Sequence, residues 1–316
     1  MTIGHHGRRT FLFGGAAGLL APALGPGPAG AQDRDRPAEG GIGGTGIVGV
    51  LTEFGSLVVG GLRVTTDAGT RVSDGFGPLP EAALRVGDAL TVEASGAPGP
   101  LVARRVHVTH PLVGTVAAVE AAGRRLTVNG VRVDLAVAVR GVVAGDRVAV
   151  SGLWRGDRVV ASALSPARAA DDLVSGDATG RGADRRVGGV RVTGRGTGGL
   201  TPLGFATVIG RFDPGTGVLT ARAARAGRFT GAAGPLRRLA VEGYLAPSRE
   251  APFFRVSGLG HSFRRGLDLA QFAGDRVLFR GAYTGRFAPR TALVLPEGTA
   301  ARTALLGRLS RDADAP

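Results

Sequence analysis

Apolar and polar residues alternate in short runs along most of the chain, and many of these runs come in pairs separated by two residues. LTVNGVRVDL at 126–135 is the clearest case, and variants of its centre recur as VVGGLRV, RVGGVRV and RVSGLGH. Period two is the spacing of a half-buried strand, and Asn-Gly, Gly-Gly or Ser-Gly between such runs signals a hairpin turn whose positive φ values suit glycine. With the turn at Asn129-Gly130, Val128 is expected to face Val131 and Leu126 to face Val133, leaving Thr127 and Arg132 on the other side. The same placement turns Leu57, Val59, Leu62 and Val64 inward in the first copy, with Arg63 outward. In the third copy Val187, Val190 and Val192 face inward while Arg186 and Arg191 face outward.

Each hairpin belongs to a larger unit. A Gly-led strand precedes it (VGVL at 48, VGTV at 113, SGDA at 175, EGYL at 242). VGDALTV at 86, AGDRVAV at 144 or AGDRVLF at 273 follows, with LGFATVI at 203 as the third copy's substitute, and an apolar strand closes each unit. About five strands in some sixty residues is the size of a small Greek-key barrel. The expected fold is therefore all-β: about four tandem five-stranded OB-like barrels. Val59 to Val187 and Val128 to Val256 are both 128 residues apart, the mark of a duplicated pair. The expected boundaries are a signal peptide at 1–31, a Gly-rich linker at 32–44, and repeats at 45–111, 112–168, 169–232 (degenerate) and 233–298, with a tail at 299–316.

GGIGGTGIVGVLTEFGSLVVGGLRVTTDAGTRV and LRVGDALTVEA in the first copy, with LVGTVAAV, LTVNGVRVDL and VVAGDRVAVSGLW in the second, resemble bacterial exported proteins with tandem DUF5666 domains. The resemblance covers 43–167 well and 174–297 weakly. It implies a β-barrel-like envelope module and supplies no catalytic residues, because the family has no assigned function.

The amino terminus changes the picture by giving the chain an address. GRRTFLF at 7–13, the apolar GGAAGLLAPALG and then AGA before Gln32 follow the order of a cleavable export signal. Arg8 and Arg9 ahead of Phe11 resemble a twin-arginine signal; the alternative is a chance Arg pair before an ordinary secretory signal. Cleavage near Ala31 would make the protein periplasmic or secreted and would remove His5 and His6. No later run is long enough for a membrane helix. The chain has no cysteine, so disulfides, thiolate nucleophiles and Cys-held zinc are excluded. The net charge of +14 comes from 39 basic residues, all Arg, against 25 acidic ones, and such a surface attracts anionic partners.

Chemistry-bearing residues are few. His107 and His110 in HVTH lie three apart, on opposite sides of a strand, and are expected to be surface histidines. His261 takes the slot of Val64, Val133 and Val192 and is expected to be a hydrogen-bonded core residue or an exposed one. Asp88, Asp146 and Asp275 precede apolar strands and suit turn capping. Arg-Gly-Asp at 155–157 reads as coincidence in an Arg-rich chain, and GRGTGG at 194–199 lacks the helix of a phosphate loop. No Ser has His and Asp near it in sequence. No catalytic, cofactor-binding or metal-ligating set is expected, and no cofactor. The remaining candidates are Trp154 with Arg155 and Arg158, and Tyr283 with Arg286 and Arg290, placed just beyond the fourth strands of their barrels, where an aromatic ring and Arg suit sugars or anionic polymers.

The expected function is non-catalytic binding or scaffolding in the envelope, with an anionic polysaccharide or another envelope protein as partner. An enzyme or a cofactor or metal carrier is the alternative, motivated by the twin-arginine signal. Nucleic acid is disfavoured by export.

Overall fold

The computed structural model describes residues 43–96, 101–249, 253–260 and 267–312. The expected signal peptide, nearly all of the linker, and His261 lie outside them.

In each of the first three copies five strands close into a ring. The first copy holds β1 (Gly44–Glu53), β2 (Leu57–Val59), β3 (Leu62–Thr65), a side ribbon of β4 (Arg71–Asp74) and β5 (Gly77–Pro78), then β6 (Ala89–Ser95) and β7 (Leu101–Val108). β1 is antiparallel to β2 and β6, β2 to β3, and β6 to β7, while β3 runs parallel to β7 and shuts the ring. First, second, third, fifth, fourth and back to first, with third and fifth parallel, is an OB-like Greek-key order. The second ring repeats it with β8 (Leu112–Glu120), β9 (Arg125–Val128), β10 (Val131–Leu135), β11 (Arg147–Arg155) and β12 (Arg158–Pro166). So does the third, with β13 (Asp172–Thr179), β14 (Arg186–Val187), β15 (Val190–Gly194), β16 (Phe205–Asp213) and β17 (Val218–Ala226). In the fourth copy β18 (Leu236–Pro247), β19 (Phe254–Val256), β20 (Arg276–Tyr283) and β21 (Phe287–Val294) make the corresponding pairings, and the residues between Gly260 and Leu267 lie outside the description.

The hairpin register is the one the alternation predicts. Val128 pairs with Val131 and Leu126 with Val133, and Leu126, Val128 and Val133 are fully buried. Asn129 and Gly130 both take positive φ, 50° and 72°, as a type I′ turn demands. The rings also share a bulge in the fourth strand, after Glu93, Ser151, Ile209 and Arg280. Glycine follows in three of the four because a Cβ on Gly152, Gly210 or Gly281 would meet a carbonyl oxygen of the fifth strand at 2.0–2.4 Å. Gly204 stands where Asp88 and Asp146 stand, and its N–H still closes the turn on the Thr201 carbonyl at 3.0 Å.

The rings join across the middle of the chain. β1 pairs with β18 in parallel, making one 11-stranded sheet of barrels 1 and 4. β8 pairs with β13, making one 10-stranded sheet of barrels 2 and 3. The expected tail contains helix α1 (Thr299–Asp312), which lies on β1, β2 and β3. Its Leu306 is fully buried with Leu278 and Leu295, and Arg302 ties its start to the Pro296 and Glu297 carbonyls at 3.0 and 2.8 Å. Gly307 in mid-helix and a short apolar stripe made the pattern too weak to read as a helix. Among the described residues no helix is long and apolar enough to cross a membrane.

Candidate functional site

The aromatic candidates sit inside their strands, which corrects the expected loop positions. Trp154 lies in β11 and is only 5% exposed, with its indole N–H donated to the Ser175 carbonyl at 2.7 Å. Glycines from three places cover its ring: Gly176 of β13, Gly188 at the third hairpin tip and Gly258 at the fourth. A Cβ on Gly188 or Gly258 would come within 2.3 or 2.5 Å of the indole. The residue therefore locks barrel 2 to barrels 3 and 4. Tyr283 ends β20 and packs against Phe229 at 6.5 Å between ring centres, and burial pushes its phenol pKa up. The two aromatics thus belong to different packing clusters.

Their arginines divide similarly. Arg155 lies over the Tyr244 ring at 4.9 Å and reaches Glu297 at 3.4 Å. Arg158 pairs with Asp134 at 3.0 Å, a carboxylate that also takes Arg132 and Arg125. Arg286 and Arg290 are exposed.

Asp88 and Asp146 cap turns as expected, each accepting an N–H from three residues back at 2.8 Å, Arg85 and Val143 respectively. Asp146 is half-buried, whereas Asp88 is buried and also accepts from the Ser151 hydroxyl at 3.3 Å, which lies 3.5 Å from His110 Nδ1. His107 and His110 are therefore not surface histidines. His107 Nδ1 meets the Ser73 hydroxyl at 3.0 Å, and burial drives its pKa down to about 3. Burial also lowers His110, against the pull of Asp74 and Asp88. Burial raises the Asp88 carboxyl, opposed by the Arg85 N–H and by His110. The order is Asp, Ser, His with a buried serine in the middle, whereas a hydrolytic triad needs the histidine there. Among the described residues no group of three or more His, Asp or Glu is placed to hold a metal.

Asp88 and His110 line a cavity of about 190 Å³ between barrels 1 and 2. Phe76, Leu79, Val113 and Ala149 supply apolar wall, and the exposed Arg85 and Arg168 also line it. Arg168 is held by Asp74 through Nε and Nη2 at 2.8 and 2.7 Å. Burial alone would raise Asp74, but the Arg168 hydrogen bonds and the Phe76 N–H win and hold its carboxyl below the usual range.

The exposed charge is concentrated elsewhere, on the third barrel. Arg186 and Arg191 stand directly opposite each other on the outer face of its hairpin, where the first two copies pair Val58 with Arg63 and Thr127 with Arg132. Like charges in this position cost stability. Each guanidinium is fixed by a backbone carbonyl, Arg186 by Gly189 at 2.9 Å and Arg191 by Thr216 at 3.1 Å. Farther along the ring, Thr193 of β15 pairs with Thr220 of β17, and Thr220 with Arg211 of β16; all three are exposed. The cross-strand row of the arginine pair itself runs through Val218 of β17 to Asp213 of β16, two residues from Arg211. Asp213 is engaged by Thr216 and the Gly215 N–H. Strand alternation predicted the outward arginines of the hairpin, but not that β16 exposes Arg211 on the same barrel.

Residues 45–107, which span the first barrel, match the family model of DUF5666, described as a domain of unknown function. No curated protein and no solved structure matches the chain.

Proposed function

We propose that the protein is an exported, non-catalytic scaffold of the cell envelope that binds an anionic polysaccharide along the outer wall of its third barrel. The observation that carries this reading is the Arg186–Arg191 cross-strand pair, with Arg211 exposed on another strand of the same barrel. A like-charge pair held at fixed geometry gains most when a polyanion lies across it. The amino-terminal leader supports an envelope location, where such polymers occur and nucleic acid does not.

The test is binding of the full chain to immobilised polygalacturonate and to dextran at physiological salt. The triple substitution Arg186→Ser, Arg191→Ser, Arg211→Ser is expected to weaken polygalacturonate binding at least about tenfold and to flatten its salt dependence. The thermal midpoint should stay nearly constant, because exposed substitutions cost within about 0.5 kcal/mol. Equal binding by the triple variant, equal binding to dextran, or tighter binding to a DNA oligonucleotide would overturn the proposal.

A further inference from the structure

The cavity between barrels 1 and 2 has its own chemistry. Its volume of about 190 Å³ exceeds the roughly 150 Å³ that admits benzene, so a substituted six-membered ring is the natural scale. One wall is apolar, with Phe76 and Leu79 offering a face to ring C–H groups. Asp88 and His110 present a carboxyl and an imidazole, groups that accept from and donate to hydroxyls. Asp74 and Asp88 disfavour a dianion such as phosphate, while Arg85 and Arg168 favour a single negative charge. Arg168 uses two of its five N–H groups on Asp74, which leaves the others for a ligand carboxylate and fixes where they point.

We infer that this cavity binds one hexuronate ring, with the sugar carboxylate toward Arg85 and Arg168, hydroxyls on Asp88 and His110, and the ring face on Phe76. The inference rests on the polysaccharide reading above and gives it a second, ring-sized site besides the wall. Burial keeps His110 neutral at pH 7, which suits hydrogen bonding to a hydroxyl.

Titration calorimetry and saturation-transfer NMR on the full chain test it with glucuronate, glucose, acetate and inorganic phosphate. Glucuronate is expected to saturate one site, with the other three at least about tenfold weaker. Arg85→Ala should weaken glucuronate at least about fivefold, and Ala83→Trp, which fills the cavity from a half-buried turn position, should abolish it. Both variants should keep the wild-type thermal midpoint. A trisaccharide uronate binding more tightly than the monosaccharide identifies a chain end, and equal affinity a free sugar; either supports the site. Acetate or phosphate binding as well as glucuronate, no saturable binding, or an unchanged affinity in both variants would overturn it. Polymer binding that survives the barrel 3 triple substitution while Arg85→Ala removes glucuronate binding would sink the wall reading alone.

Discussion

Barrels 2 and 3 meet along two antiparallel strands whose contact is apolar, with Val113, Ala149, Leu173 and Ile209 buried together. Its polar elements include the neutral amide of Asn129, which donates to the Val113 and Leu173 carbonyls at 2.9 and 3.2 Å, and an Arg147–Asp172 ion pair at 2.9 Å toward its edge. Barrels 1 and 4 meet in parallel and are joined by charge. Glu242, fully buried and paired within barrel 4 to Arg276 at 2.7 Å, accepts the Val50 N–H across the joint at 2.9 Å, and Arg280 reaches the Gly60 and Gly61 carbonyls of barrel 1 at 3.1 and 2.9 Å. Glu93 takes the N–H groups of Thr230, Gly231 and Ala232 and so fastens the linker between barrels 3 and 4 onto barrel 1. The residue just before the fourth-strand bulge shows the contrast in one position: Glu93 and Arg280 in barrels 1 and 4, Ile209 in barrel 3, Ser151 in barrel 2. One ring architecture therefore tolerates different chemistries at this position, because it contacts neighbours rather than closing the ring.

Removing charge from the parallel joint should have the largest effect. Glu242→Gln leaves the buried Arg276 without its counter-charge and is expected to cost about 3–5 kcal/mol in urea unfolding. A loss below about 1 kcal/mol would mean that the apolar contacts, not the buried Glu242, hold this joint. Asn129→Gly keeps the left-handed turn but strips two buried carbonyls of their donor, and should cost about 1–3 kcal/mol. Amide exchange in β8 and β13 should rise in that variant while β1 and β18 stay protected. The third effect appears only in acid. His107 titrates near 3 when folded and near 6.5 when unfolded, so the unfolded chain takes the proton first. Its contribution is whole above about pH 6.5 and falls by about 1.4 kcal/mol for each pH unit below that, toward pH 3. His107→Asn should flatten the stability profile between pH 6.5 and 5 by that slope, and an unchanged profile would contradict the burial argument.

Much of each ring was legible in the chain and little of the site was. Val128 facing Val131, and Thr127 turned out, follow from period two alone. Trp154 was visible as an aromatic beside two arginines, but its partners Gly188 and Gly258 lie in other copies, and nothing local marks a glycine that must lie under an indole. His110 and Ser151 are 41 residues apart and Asp88 and Ser151 are 63 apart, so their convergence has no local signature. Asn129 was read as turn chemistry, which its φ of 50° bears out, yet its amide also reaches across a joint.

The sequence by itself determined the repeating barrel, its strand register and turns, the all-arginine charge and the absence of cysteine. Alternation, turn glycines and composition act within a few residues and can be read in order. Only the tertiary structure decided that barrel 1 pairs with barrel 4 and barrel 2 with barrel 3, against the duplicated order of the copies, and that Asp88 and His110 share one cavity. The reason is physical: ring closure is set by local periodicity. The joints depend on single side chains such as Glu242, bonded to a backbone N–H 192 residues away, and alternation carries no record of such a pairing.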